Sequence, residues 1–149
     1  MADALLVSEI FHTLFNGIKS ASAPGVDKMY LEFEENLPDK KGMYSNFTKT
    51  ITVLGNFFES KHIRTLFKPK FMFYSIFLVV YARLFGFEGK VNERTGKIDI
   101  AKSIAKLESF CLQYQSEEYD PAKKAKFKQA TGNVAQRKFR HAEIAKLIV

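Results

Sequence analysis

Residues 71–82 read Phe71-Met72-Phe73-Tyr74-Ser75-Ile76-Phe77-Leu78-Val79-Val80-Tyr81-Ala82, apolar on every side of any regular element. A helix that is hydrophobic all round belongs in a protein core or in a membrane. A membrane span needs about 20 apolar residues, and this run meets Lys70 at one end and Arg83 at the other. It is too short to cross. Two buried strands would need a turn signal between them, and the run contains none. The stretch therefore predicts one central helix, about 70–86, with Pro69 at its first turn and Gly86 at its C-terminal end.

Amphipathic helices are expected around this hub. Val7, Ile10, Leu14 and Ile18 make an apolar stripe over 4–19, with Asp3 as N-cap. Ser20 to Gly25 reads as a loop. A second helix is expected from Asp27 to just before Pro38, with Val26, Met29, Tyr30, Phe33 and Leu37 on one face and Glu32, Glu34 and Glu35 mostly off it. Asp39 to Gly42 reads as a turn, followed by a helix over about 44–59 with Phe47, Ile51, Leu54 and Phe58 inward. Residues 87–98, with Gly89, Asn92 and Gly96, predict a loop or small hairpin. Asp99 caps a helix over about 99–115, whose stripe is Ile100, Ile104, Leu107, Cys111 and Tyr114. Asp120-Pro121 opens a basic helix to about Thr131, and a last helix covers about 140–148. The fold expected is all-α: a single domain over 1–149, with six or seven helices.

Composition agrees with a globular chain. Hydrophobic residues make up 46% and charged residues 26%, with 4 prolines and 8 glycines, so disordered and collagen-like readings are excluded. The lone Cys111 cannot form an internal disulfide, and Met1-Ala2-Asp3 lacks the basic start of a signal peptide. A cytoplasmic, reducing setting is expected, and the Asn46-Phe47-Thr48 sequon carries no weight there.

Most site chemistry is missing. His12, His62 and His141 have no partner at metal-ligand spacing, so neither a metal nor a cofactor is expected. Cys111 falls on an apolar stripe and reads as a small buried hydrophobe rather than a nucleophile. Gly96-Lys97 is followed by Ile98, and the glycine before it lies seven residues back, which fails the phosphate-loop pattern. Glu32, Glu34 and Glu35 have no second acidic cluster to work with. No catalytic residue is identified, and no enzyme is visible.

Charge is the one asymmetric feature. Residues 1–60 hold 5 Lys/Arg against 8 Asp/Glu, a net of −3; residues 61–149 hold 18 against 8, a net of +10. Lys123, Lys124, Lys126, Lys128, Arg137, Lys138 and Arg140 lie within 18 residues, interleaved with Phe127 and Phe139. Lys124 and Lys128 are four apart, so one helix can show a cationic side and tuck Phe127 beneath it. These seven residues are the candidate nucleic-acid contacts, set to touch phosphates of duplex DNA without reading bases. The arginines serve this best if Phe139 packs inward and turns both guanidinium groups out. Three alternatives stand beside that reading. The cluster could be a solvated basic face, it could dock on an acidic protein surface, or Arg140 could pair with Glu143 or cap helix carbonyls. Base stacking would fall to Tyr119, Phe127 or Phe139, the only aromatics beside basic residues.

The order of motifs resembles the C-terminal helical half of the GmrSD-type, ParB/sulfiredoxin-like proteins of bacterial defence against foreign DNA. The similar pieces are Met1 to Ile10, Gly17, the Asp27-x-x-Tyr30 helix start and Lys70-x-x-Phe73-Tyr74-Ser75-x-Phe77. Ala130-Thr131 follows, then Arg137-Lys138-x-Arg140 leading to Ile144 and Leu147-Ile148. The resemblance implies a part in restriction-type DNA recognition. Family members carry an N-terminal nuclease/NTPase-like domain with an Asp-Gly-Gln-Gln-Arg-type motif, which this chain lacks, so no catalytic residue carries over and a nuclease-like domain or subunit becomes a candidate partner. The alternative function is a protein-protein interaction or oligomerisation module of the same system.

Overall fold

The computed structural model describes residues 2–34, 37 and 39–149. Eight α-helices run through them: α1 (Ala2–Asn16), α2 (Ala23–Phe33), α3 (Lys40–Phe57), α4 (Lys61–Phe67), α5 (Lys70–Phe85), α6 (Ile100–Gln115), α7 (Pro121–Lys128) and α8 (Val134–Ala145). Among the described residues there is no strand.

The apolar run is the hub. Every residue from Tyr74 to Ala82 is buried, and α5 packs against α1, α3, α4 and α8. Pro69 presets the entry at φ −57° and its carbonyl accepts from the amides of Met72 and Phe73. Gly86 ends the helix at φ +70°, a conformation L side chains rarely adopt, and a Cβ there would stand 3.3 Å from the Cα of Val91. Around α5, Phe57, Ile63, Phe67, Leu107, Cys111 and Ile144 join one continuous core.

Several elements start earlier than their periodicity implies, because caps rather than apolar residues set the boundary. Ser22 caps α2 by accepting from the Gly25 amide, so Pro24 falls inside the first turn instead of a loop. Asp39 does the same for α3 through the Gly42 amide, and the expected turn is that helix's first turn. Asn133 accepts from the Ala135 amide and starts α8 six residues ahead of 140. Asp3 lies within α1 and is not its cap. Helix α4, capped by Ser60, was not expected, and it raises the count above seven. The stretch 87–98 is no hairpin: it carries a 3₁₀ turn at Val91–Glu93 and is tied back by the Thr95 and Gly96 amides donating to the Arg83 carbonyl. The second helix ends at Phe33, with Glu34 as its C-cap, so Leu37 is not part of it; the placement of Glu35 lies outside the described residues.

Among the described residues no single helix is long and apolar enough to cross a membrane. Helices α4 and α5 together would be, but they meet at a bend of 111°.

An ionic clasp closes the loop over α8. Glu93 accepts from His141 Nε2 at 2.8 Å and pairs with Lys90 Nζ at 2.9 Å. Burial alone would raise the Glu93 carboxyl, but the bonds from His141 and Lys90 outweigh it and hold it at about 2, against an ordinary 4.5. A carboxyl held down in the folded state stabilises fully above its unfolded value and loses that contribution as pH falls through the folded one. The advantage of the native chain over Glu93→Gln in thermal unfolding is therefore expected to shrink as pH falls between about 4.5 and 2. A difference that stays flat through that window would show that the clasp is not the cause.

Candidate nucleic-acid interface

Helix α7 begins at Asp120, whose carboxylate accepts from the amides of Ala122 and Lys123, and Pro121 supplies the fixed first φ. Phe127 is its anchor. The ring is fully buried, 5.2 Å from Phe139, 5.6 Å from Tyr114 and 5.8 Å from Phe110. The lysines on either side spread over the rims of this aromatic nest. Lys124 and Lys128 place their ammonium groups 5.0 and 6.0 Å from the Tyr114 ring, and Lys126 lies 5.5 Å from Phe139. Their alkyl stems cover apolar surface while the charges stay in reach of solvent. Lys123, Lys126, Lys128 and Lys138 are exposed and Lys124 is half-buried. Phe127 cannot stack a base, and Phe139 and Tyr119 are partly buried against the same core.

The two arginines do not join them. Arg140 is 0% exposed and Arg137 is 7% exposed. Once α8 starts at Val134, Arg137, Arg140, His141 and Ile144 fall at i, i+3, i+4 and i+7, which is the inward stripe. Lys138 lies off that stripe, exposed. Arg140 donates Nε to Ser75 Oγ at 3.2 Å, Nη1 to the Phe127 carbonyl at 3.4 Å and Nη2 to the Thr131 carbonyl at 2.5 Å. The carbonyl-capping alternative is the one its geometry follows. Burial, with Arg137 nearby, lowers it to about 10, which leaves it cationic at neutral pH. Arg137 pairs with Glu9 at 2.7 Å and lies 4.4 Å from the Tyr74 ring. Sequence periodicity held this signal, but the late start assigned to the last helix concealed it.

Lys124 and Lys128 also line a pocket of about 360 Å³ between α7 and the α4–α5 turn, with Thr65, Pro69 and Phe71 opposite. Among the described residues no carboxylate lines it. Phe71 is shared with a second pocket that contains Lys70, Tyr74 and both arginines. Lys70 and Tyr74 had been visible only as parts of a motif and had no role assigned to them.

Burial, reinforced by Glu108, pushes the Cys111 thiol up to about 11, so it stays protonated near neutral pH. Among the described residues no group of three His, Cys, Asp or Glu side chains could hold a metal ion. No protein-family model, curated protein or solved structure matches the chain.

Proposed function

We propose that the chain is a non-catalytic helical module of a restriction or phage-defence type protein, working in the cytoplasm and binding nucleic acid, duplex DNA first, through phosphate contacts. The contacts come from Lys123, Lys124, Lys126, Lys128 and Lys138, while Arg137 and Arg140 hold the surface beneath them. One observation carries the reading: among the described residues none of these five lysines forms an ion pair, so their charge is available to a polyanion. The motif order quoted above supports the defence setting and a nuclease-like domain or subunit as partner.

Anisotropy titration of labelled duplex DNA against salt tests it. Lys124→Gln with Lys128→Gln is expected to reduce the log–log salt slope by about 1.8, roughly 0.9 per phosphate contact. The loss should be about equal across DNA sequences, because phosphate contacts carry no base information. Absence of binding at about 50 µM protein in low salt, or a double variant that binds like the native chain, would remove the reading.

A second reading, an interaction or oligomerisation module, is favoured by a different surface. A groove of about 690 Å³ between α1 and α2 is lined by Val7, Phe11, Phe15, Leu31 and Leu37, with Asp27 and Glu34 also in its lining. Leu31 is 73% exposed, beside exposed Tyr30. If DNA binding fails and Leu31→Glu lowers the sedimentation mass of the native chain, this reading replaces the first.

A further inference from the structure

The pocket between α1, α5 and α8 holds an imbalance of charge that the protein does not resolve. Its volume is about 300 Å³, at the small end of ligand sites. Among the described residues Glu9 is the only carboxylate in its lining, against Lys70, Arg137 and Arg140. Buried charge is costly unless it is paired, and elsewhere the fold observes this, as the Glu93 clasp with His141 and Lys90 shows. Here, among the described residues, Arg140 has only neutral acceptors, and Lys70 meets only Asp3, at 3.7 Å and on the open surface. Arg137 donates Nη2 to Glu9 and Nη1 to the Lys19 carbonyl and the Tyr74 hydroxyl. Its Nε is buried with no partner among the described residues. That leaves one donor of the guanidinium fork unused in a residue that lines a cationic cavity.

We propose that this pocket binds a phosphate monoester group, with Arg137 Nε and Lys70 as its principal donors and Arg140 as the fixed positive charge behind them. The lining carries two positive charges more than it neutralises. A phosphate monoester brings about −1.5 to −2 at pH 7, whereas a carboxylate or a phosphodiester brings only one negative charge. The group could belong to free phosphate or a small phosphorylated molecule, or to the 5′ end of a nucleic-acid strand. Only the last source leans on the function proposed above.

Inorganic phosphate, titrated into the full chain at constant ionic strength and followed by calorimetry and ³¹P line broadening, tests the pocket without DNA. Saturable binding is expected, weakened about tenfold by Lys70→Gln, which removes a rim charge outside the core. Arg137→Lys, which keeps the charge but loses the fork, is expected to weaken it similarly, with circular dichroism confirming the fold. No saturation up to about 20 mM phosphate, or binding by both variants as tight as that of the native chain, would overturn the site. Oligonucleotides with and without a 5′-phosphate then separate the sources. A preference abolished by Lys70→Gln supports a strand end, and equal binding beside a positive phosphate titration supports a small phosphorylated ligand. Lys124→Gln with Lys128→Gln should leave phosphate binding unchanged, so failure of the pocket and failure of the lysine face are told apart.

Discussion

Phe77→Ala is expected to lower the free energy of unfolding by about 3–5 kcal/mol, measured as a shift of the urea midpoint at unchanged m-value. Phe77 is fully buried at the middle of α5, with ring centroids of Phe47 at 4.9 Å, Tyr81 at 6.2 Å and Phe73 at 6.3 Å. Removing the ring takes away its transfer free energy and leaves a cavity in the contact between α3 and α5, where neighbours on two helices cannot both collapse inward. Leu112→Ala, on an exposed position of α6, is the matched control and should cost no more than about 0.5 kcal/mol. A loss below about 1 kcal/mol at Phe77 would mean that α5 is not the hub.

That hub was the most legible part of the sequence, and the reason is physical. Twelve residues in a row with Ser75 as the one small polar interruption, too few to cross a membrane, leave the segment only one use, which is burial on most faces. Helices α5 and α6 were placed closely, since Gly86 and Asp99 are unambiguous stop and start residues. Elsewhere apolar spacing was weighed more heavily than caps. Ile51 was assigned inward but is 40% exposed, because Thr50, Leu54 and Phe57 face the core, one position round the helix. The buried threonine returns its hydroxyl to the Asn46 carbonyl, so a polar residue sits inside at little cost and breaks the apolar pattern. At the candidate interface the lysines were legible as charge, because nothing but solvent or a polyanion suits five of them together. The arginines were not, since a guanidinium can be buried once carbonyls and a hydroxyl accept its protons, and the sequence does not display those acceptors.

Arg140→Ala is expected to destabilise the fold by about 3–5 kcal/mol, an effect of the size seen for large core side chains. Two buried acceptors and one half-buried one lose their donor together: Ser75 on the hub, the Phe127 carbonyl in α7 and the Thr131 carbonyl in the link to α8. Each buried group left unpaired costs about 1–3 kcal/mol, partly relieved where Ser75 keeps its own bond to the Phe71 carbonyl. The link itself is strained, with Ala130 at φ +44°, and such a conformation persists only where its surroundings hold it. Arg140 is one of those restraints, because it ties both sides of Ala130 to the same guanidinium. Arg140→Met should cost less than Arg140→Ala, since both remove the charge and the bonds but only methionine fills the space. Lys124→Gln with Lys128→Gln should leave the midpoint within about 0.5 kcal/mol of the native chain while weakening DNA binding. Denaturant titration and DNA titration of the same four proteins make the comparison. If Arg140→Ala proves as stable as the native chain but loses DNA, the guanidinium reaches phosphate after all, and the division between a structural arginine layer and a binding lysine layer fails.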